Sequence, residues 1–213
     1  QVGTTIFTTM SKMAQEENAI NLAQGFPGFG SDPALLELVA KYTRGGQNQY
    51  APMSGVSELK HALAKKTQLT QGYFPDPESE VTIVSGATEA LFAAFTAVVR
   101  PGDEVIVLEP AYDSYVPAIH LNGGIPIFVA LDPVDFSVNW ELVASKITSK
   151  TRAIVVNSPH NPSGQVWSRE DVEQLASLVS KTGIYVISDE VYEHILFDGR
   201  VHVSLGAHPI LRE

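Results

Sequence analysis

Cysteine is absent from this 213-residue chain, and basic residues are scarce. Without cysteine there is no disulfide framework and no thiolate metal site. The 14 Lys and Arg residues stand against 24 Asp and Glu, which gives a formal net charge of −10 at pH 7. A nucleic-acid backbone or an anionic membrane attracts a basic surface, so we expect neither partner. The lack of cysteine is compatible with a reducing compartment, and we expect a cytoplasmic location.

Other signatures are also missing. The apolar runs, such as Ile154–Asn157, are far too short to cross a bilayer, and the first 17 residues have no apolar core typical of a secretion signal. No Gly-x-Gly-x-x-Gly follows the first predicted sheet strand, which disfavours a dinucleotide-dependent dehydrogenase. The six histidines show no metal-ligand spacing, which disfavours metal catalysis.

The region from residue 80 onward alternates short apolar runs with helical patterns. The runs are predicted strands, and each is too uniformly apolar for a half-exposed strand. They are Val81–Val84, Glu104–Leu108, Ile125–Ala130, Ala153–Val156 and Ile184–Ser188. Helices are predicted at 88–99, 113–122, 140–147 and 169–181. This alternation predicts an α/β fold with three layers, in which helices cover both faces of a mostly parallel sheet.

The region before residue 80 reads as helical with glycine- and proline-rich loops. Thr4–Gln15 spaces its apolar residues at helical intervals, and a loop follows at Gln24–Gly30. Ser31 or Asp32 is suited to cap a second helix, with Pro33 in its first turn. A further helix is predicted from about residue 55 to residue 71.

Polar or chain-bending residues follow four of the predicted strands. They are Ser85–Thr88, Glu109–Tyr112, Asn157–Pro162 and Ser188–Tyr192. Ligands of parallel sheets bind beyond the carboxyl ends of the strands, so these residues should converge on one edge.

Each of these groups, taken alone, has a functional and a structural interpretation. The turn at Ser85–Thr88 is an anion site at a helix N-terminus or an ordinary capped turn. Asp189 is a partner for a pyridinium N–H, or a structural cap or ion pair. Asn161 is a donor to a ring oxygen, or part of a tight surface turn. Tyr112 stacks on a flat ring or simply packs. Their joint placement in this order favours a cofactor site.

The motifs resemble those of the fold-type I, class I aminotransferases, which use pyridoxal 5′-phosphate (PLP). The resemblance covers essentially the whole chain. Its most specific segments are Asn48–Gly55, Ser85–Ala90, Asn157–Gly164 and Ser188–Glu193. Asn21–Pro27 and Glu109–Tyr115 are most similar to the methionine, glutamine and kynurenine aminotransferase branch. The implied fold is the three-layer, aspartate aminotransferase-like fold of PLP-dependent transferases, truncated before completion.

The resemblance implies a role for each matching residue. The turn that binds the PLP phosphate is expected at Gly86, Ala87 and Thr88, and the aromatic ring that stacks on the cofactor at Tyr112. Asn161 and Tyr192 are expected to contact the ring oxygen, and Asp189 the ring nitrogen. Tyr50 is expected to reach the phosphate across a dimer interface. Asp189 and Tyr192 are the expected catalytic residues. Gly25 and Asn161 are expected to meet the substrate. The family often has cis peptides at the positions of Glu109-Pro110 and Asn161-Pro162.

The lysine that forms a Schiff base with PLP is missing from this sequence. The family carries it in a Ser-x-x-Lys type segment that has no match here, and all eight lysines fall in helical contexts suited to solvated faces. The resemblance implies that residues 1–45 form an N-terminal arm and part of the small domain. Residues 46–213 would form an incomplete large PLP-binding domain, with the C-terminal small domain absent.

The expected activity of the complete protein is transamination between an amino acid and a 2-oxo acid. The branch implies a methionine, glutamine or aromatic amino acid, and a homodimer with a shared active site. Two alternatives stay open. One is a PLP-dependent carbon–sulfur β-lyase on the same fold, and the other is a PLP-binding effector domain of a transcription regulator.

Overall fold

The N-terminal part of the chain is helical. A computed structural model describes residues 5–25 and 27–212, which divide into two compact units, Gln1–Pro52 and Met53–Glu213. The first unit contains α1 (Ile6–Glu16) and α2 (Pro33–Arg44). Asp32 caps α2, because its Oδ1 accepts a hydrogen bond from the backbone N–H of Ala34 at 2.7 Å. The predicted helix start at Thr4, and Phe26 of the predicted loop, lie outside the described residues.

The second unit alternates helices and strands. Its elements are α3 (Ser57–Gln71), α4 (Gly86–Val98), β1 (Glu104–Glu109), α5 (Tyr115–Leu121), β2 (Ile125–Ala130), α6 (Trp140–Lys146), β3 (Thr151–Asn157), α7 (Arg169–Thr182), β4 (Tyr185–Asp189), a 3₁₀ turn (Leu205–Ala207) and α8 (Pro209–Arg212). The four strands form one parallel sheet in the order β2-β1-β3-β4. The predicted α/β fold with a parallel sheet is therefore confirmed.

Two apolar clusters cover the two faces of this sheet. Neighbouring residues of a strand point to opposite faces. Ile106 and Ile154 pack with Leu175 of α7 in one cluster. Val107 and Phe95 of α4 belong to the other cluster. Burial of each such side chain contributes about 1.5–3 kcal/mol to folding, so the strands are held from both sides.

The segment Val81–Val84 corrects one sequence prediction, because it is not a strand. Its backbone lacks a ladder partner among the described residues, and Ile83 N–H donates to Ser54 O at 2.9 Å instead. The apolar run signalled partial burial, which it has, but a strand also requires a neighbouring strand with which to pair. The segment still leads directly into the turn at Ser85.

Within the described part of the chain, three peptide bonds before proline are cis. The expectation for Glu109-Pro110 and Asn161-Pro162 is confirmed, and Ser158-Pro159 is a further cis bond. All three lie just after β1 or β3, where the chain turns away from the sheet. In the described residues, the helices are too short or too polar to cross a bilayer.

Candidate active site

The N-terminus of α4 presents free backbone donors. Gly86 has a φ of +86°, a left-handed conformation that favours glycine. Its N–H donates a hydrogen bond to Val84 O at 3.0 Å. Ser85 N–H donates to the carboxylate of Glu89 at 2.5 Å, and no side chain caps the helix. The N–H groups of Ala87 and Thr88 therefore remain available to an anion, and the helix dipole favours negative charge there.

Asp189 ends β4 and is buried, with only 8% of its surface exposed. Its Oδ2 accepts a hydrogen bond from the Tyr115 hydroxyl at 2.7 Å, and its Oδ1 accepts one from Val191 N–H at 3.2 Å. Burial, and then the contact with the Asp189 carboxylate, raises the pKa of Tyr115 well above its ordinary value. The phenol thus stays protonated and donates to the carboxylate.

Asn157, the last residue of β3, connects Asp189 at the end of β4 with Asn161 in the turn that follows β3. Its buried amide donates to Asp189 O at 2.8 Å, and its Oδ1 accepts from Asn161 N–H at 2.7 Å. Within the described part of the chain, neither the Asn161 side chain nor the Tyr192 hydroxyl makes a hydrogen bond to protein. Both groups are therefore free to contact a ligand. The sequence reasoning assigned no role to Asn157 or Tyr115, although both lie inside the quoted motifs.

His160 helps to hold the turn that carries Asn161. Its Nδ1 lies 2.6 Å from Ser163 Oγ, and its backbone bonds to Gln165 and Gly164. Burial lowers the pKa of His160, while a hydrogen bond to the Pro110 carbonyl raises it, and the net effect is a lowered pKa. The turn is therefore partly buried and internally bonded, unlike the simple surface turn of the alternative interpretation.

The start of α4 and the segments that follow β1, β3 and β4 surround one cleft of about 180 Å³. Its lining residues are Ser85, Gly86, Ala87, Thr88, Leu91, Tyr112, Asn157, Asn161, Asp189, Val191 and Tyr192. All seven predicted cofactor residues of the second unit thus meet in one place. Tyr50, which is fully exposed, and Gly25 belong to the first unit. The roles expected for these two residues stay predictions.

The six lysines of the second unit lie in the described residues, and none of them lines the cleft. Lys60 corrects the expectation that every lysine occupies a solvated face, because its side chain is 3% exposed. Its ammonium group lies 3.0 Å from Glu78 Oε2 and 3.3 Å from Ser54 Oγ. This pairing compensates the cost of burying the charge.

The geometry of the cleft fits a flat phosphorylated ring with a basic nitrogen. Free N–H groups at the start of α4 suit a phosphate, and the Asp189 carboxylate suits a protonated ring nitrogen. Asn161 and Tyr192 supply neutral donors for a ring oxygen, and Tyr112 supplies an aromatic surface. Together, the parallel sheet and this set of side chains define a protein of the PLP-binding α/β class.

Comparison with known proteins gives the family. The family model "Aminotransferase class I and II" matches residues 17–211. The methionine aminotransferase of Escherichia coli K12 is 52% identical over 213 residues, covering 100% of this chain and 55% of the relative. Human kynurenine–oxoglutarate transaminase 1 is 39% identical over 211 residues, covering 93% of this chain and 50% of the relative. The chain belongs to the class I and II aminotransferases, a PLP-dependent family.

Solved structures agree with this assignment. An E. coli protein described as having a methionine aminotransferase function matches with a TM-score of 0.93 at 50% identity, over 100% of this chain and 57% of that protein. N-succinyldiaminopimelate aminotransferase from Mycobacterium tuberculosis matches with a TM-score of 0.92 at 39% identity, over 96% and 54%. The chain therefore spans about half the length of these relatives. The Schiff-base lysine is not in this half.

Proposed function

We propose that the complete protein transfers an amino group between an amino acid and a 2-oxo acid. The observation that carries this proposal is the position of Asp189, a residue that lines the cleft while its buried carboxylate accepts two hydrogen bonds. When bound, PLP supplies an electron sink for the substrate's α-carbon. Asp189 would hold the proton on the ring nitrogen, which that chemistry requires.

The other residues of the cleft have supporting roles in this proposal. Ala87 and Thr88 bind the phosphate through their N–H groups, and Gly86 gives the turn its left-handed backbone. Tyr112 fixes the plane of the ring. Asn161 and Tyr192 donate to the ring oxygen, and this role is supported because their side-chain polar groups make no hydrogen bond to protein among the described residues. These groups act from the start of α4 and from the segments that follow β1, β3 and β4, so the donors are oriented before the ligand arrives.

Further parts of the proposal concern the first unit and the whole protein. Gly25 is proposed to lie near the substrate carboxylate, and Tyr50 to reach the phosphate of a partner subunit in a homodimer. Residues 1–45 are proposed to form the arm and part of the small domain, and residues 46–213 part of the large domain. The similarity to a methionine aminotransferase supports a methionine, glutamine or aromatic substrate. A cytoplasmic location stays a prediction.

The experiment compares the complete protein with Asp189→Ala. Amino-group transfer is measured from methionine, glutamine and phenylalanine to a 2-oxo acid. We expect transfer by the unaltered protein and a loss of at least about 10²-fold in the variant, because a preorganised charge at the reacting centre is removed. Tyr185→Phe, at an exposed position on the same strand, is the control and should keep full activity. No transfer from any amino acid by the unaltered protein would refute the proposal.

The same assay without a 2-oxo acid separates the β-lyase alternative. A lyase releases ammonia and pyruvate from a suitable β-substituted substrate without an acceptor, whereas a transaminase stops after one turnover. Homodimer formation is measured by sedimentation at micromolar concentration, and an active monomer would contradict the role proposed for Tyr50.

A further inference from the structure

Tyr115 lies directly behind Asp189 and outside the cleft. Its side chain is 3% exposed and belongs to the apolar cluster with Phe95 and Ile119. Its hydroxyl donates to Asp189 Oδ2 at 2.7 Å. The residues that line the cleft include Asp189 but not Tyr115.

The phenol ring and the hydroxyl of Tyr115 have separable functions. A phenylalanine would fill the same space in the apolar cluster, so packing alone does not require the hydroxyl. The hydroxyl supplies a neutral donor to one oxygen of the Asp189 carboxylate, and Val191 N–H holds the other oxygen at 3.2 Å. Because both oxygens are held, the carboxylate has one fixed plane and its remaining lone pairs have fixed directions.

Tyr115 also contacts the stacking tyrosine. The rings of Tyr112 and Tyr115 lie 5.8 Å apart at an angle of 70°, an edge-to-face arrangement. Tyr112 borders the cleft, whereas Tyr115 does not. One buried side chain therefore touches both the residue proposed to stack on the ring and the residue proposed to meet its nitrogen. This places the two at a fixed position relative to each other.

We propose that Tyr115 is a positioning residue that aims the Asp189 carboxylate at the ring nitrogen of PLP. The inference deepens the proposed function and rests on it. The proposed role of Tyr115 concerns one atom of the ligand, the ring nitrogen. Loss of the Tyr115 hydroxyl should weaken only those interactions that depend on the ring nitrogen, and it should leave the phosphate and ring-oxygen contacts unchanged.

The test uses the complete protein without cofactor and two probes. One is PLP, and the other is 1-deaza-PLP, in which a C–H group replaces the ring nitrogen. Dissociation constants are measured by equilibrium dialysis for the unaltered protein, Tyr115→Phe and Tyr185→Phe. We expect Tyr115→Phe to bind PLP about tenfold more weakly, as for loss of one hydrogen bond to a charged group, and to bind 1-deaza-PLP unchanged. The exposed control should change neither constant.

The ratio of the two constants is the decisive quantity. Partial unfolding of Tyr115→Phe would raise the dissociation constants of both probes by the same factor. This factor cancels in the ratio, so a loss of stability does not affect the result. In an Asp189→Ala background, Tyr115→Phe should no longer change the ratio, because the group that it positions is gone. An effect in that background equal to the effect in the unaltered protein would overturn the proposal.

Two other results would overturn it. If Tyr115→Phe weakens the binding of both probes equally, the hydroxyl supports only the fold. If it weakens the binding of neither probe, the hydroxyl is not needed to aim Asp189. In both cases binding of PLP by the unaltered protein leaves the proposed function standing. If the unaltered protein binds neither probe, the proposed function itself fails, and the role of Tyr115 fails with it.

Discussion

The side-chain amide of Asn157 donates to the main-chain carbonyl of Asp189 at 2.8 Å, joining the last residues of β3 and β4. The same amide accepts the backbone N–H of Asn161 at 2.7 Å. A single buried side chain therefore sets the spacing between the proposed partners of the ring nitrogen and the ring oxygen. Because both polar ends of the amide are used, its removal breaks two hydrogen bonds; the Asp189 carbonyl keeps the N–H of Ser158 at 3.1 Å, whereas the Asn161 N–H loses its partner.

Asn157→Ala should lower the free energy of unfolding by about 1–3 kcal/mol, because two hydrogen bonds of about 0.5–1.5 kcal/mol each are lost. Urea denaturation at pH 7 measures this loss. Asn122→Ala is the control, because Asn122 makes one side-chain hydrogen bond, to Ala118 O at the end of α5, and should cost less. Equal losses in the two variants would contradict the bridging role of Asn157.

We expect the Glu190 carboxylate to stabilise the fold by an amount that depends on pH. Burial raises the pKa of this carboxyl, but hydrogen bonds from His202, Ser188, Ser204 and the Leu205 N–H outweigh burial and leave the pKa below its ordinary value of 4.5. His202 Nε2 lies 2.7 Å from Glu190 Oε2. Since the folded state binds its proton more weakly than the unfolded state, the stabilisation is complete above about pH 4.5 and is lost as the pH falls through the folded-state pKa.

Glu190→Gln should therefore be less stable than the unaltered protein by about 1–3 kcal/mol at pH 7, and this gap should narrow below pH 4.5. Urea midpoints at pH 7 and in the acid range provide the measurement. Glu141→Gln, at an exposed site of α6, should show little difference from the unaltered protein at either pH. A gap for Glu190→Gln that stays constant with pH would contradict the assignment.

Gly55 occupies a position that does not tolerate a side chain. Its φ is +102°, and an added Cβ would lie 2.7 Å from Ile83 Cβ. Gly55→Ala should cost about 2–4 kcal/mol, from the clash and the backbone strain together. Gly183→Ala is the matched control, because Gly183 has a φ of +67° but open space around it, and should cost only about 1 kcal/mol. Thermal unfolding of both variants tests the difference, and equal shifts would contradict it.

The 213-residue chain alone should bind PLP far more weakly than the complete protein. Its cleft of about 180 Å³ is smaller than the ~300 Å³ at the low end of ligand pockets, and none of the described lysines of the second unit borders it. Fluorescence titration of both proteins with PLP measures the difference. Equal affinities would show that the cleft of this half is sufficient for binding.

Local patterns of the sequence determined much of the molecule. Apolar runs and helical spacing located β1 to β4 to within two residues at most at either end, because burial and periodicity are encoded in neighbouring residues. The order of motifs at strand ends predicted that Gly86, Tyr112, Asn161 and Asp189 would meet, since parallel strands end at one edge of a sheet.

Only the tertiary structure decided which residues touch across long separations in the sequence. Val81–Val84 has the apolar character of a strand but has no strand to pair with in residues 5–25 and 27–212, and pairing is a property of two segments. The bond from Tyr115 to Asp189 spans 74 positions and the bond from Asn157 to Asp189 spans 32, so no local pattern announces either. The sequence determined that the predicted cofactor residues of the second unit would meet at one cleft, whereas the packing behind them determined how each is held.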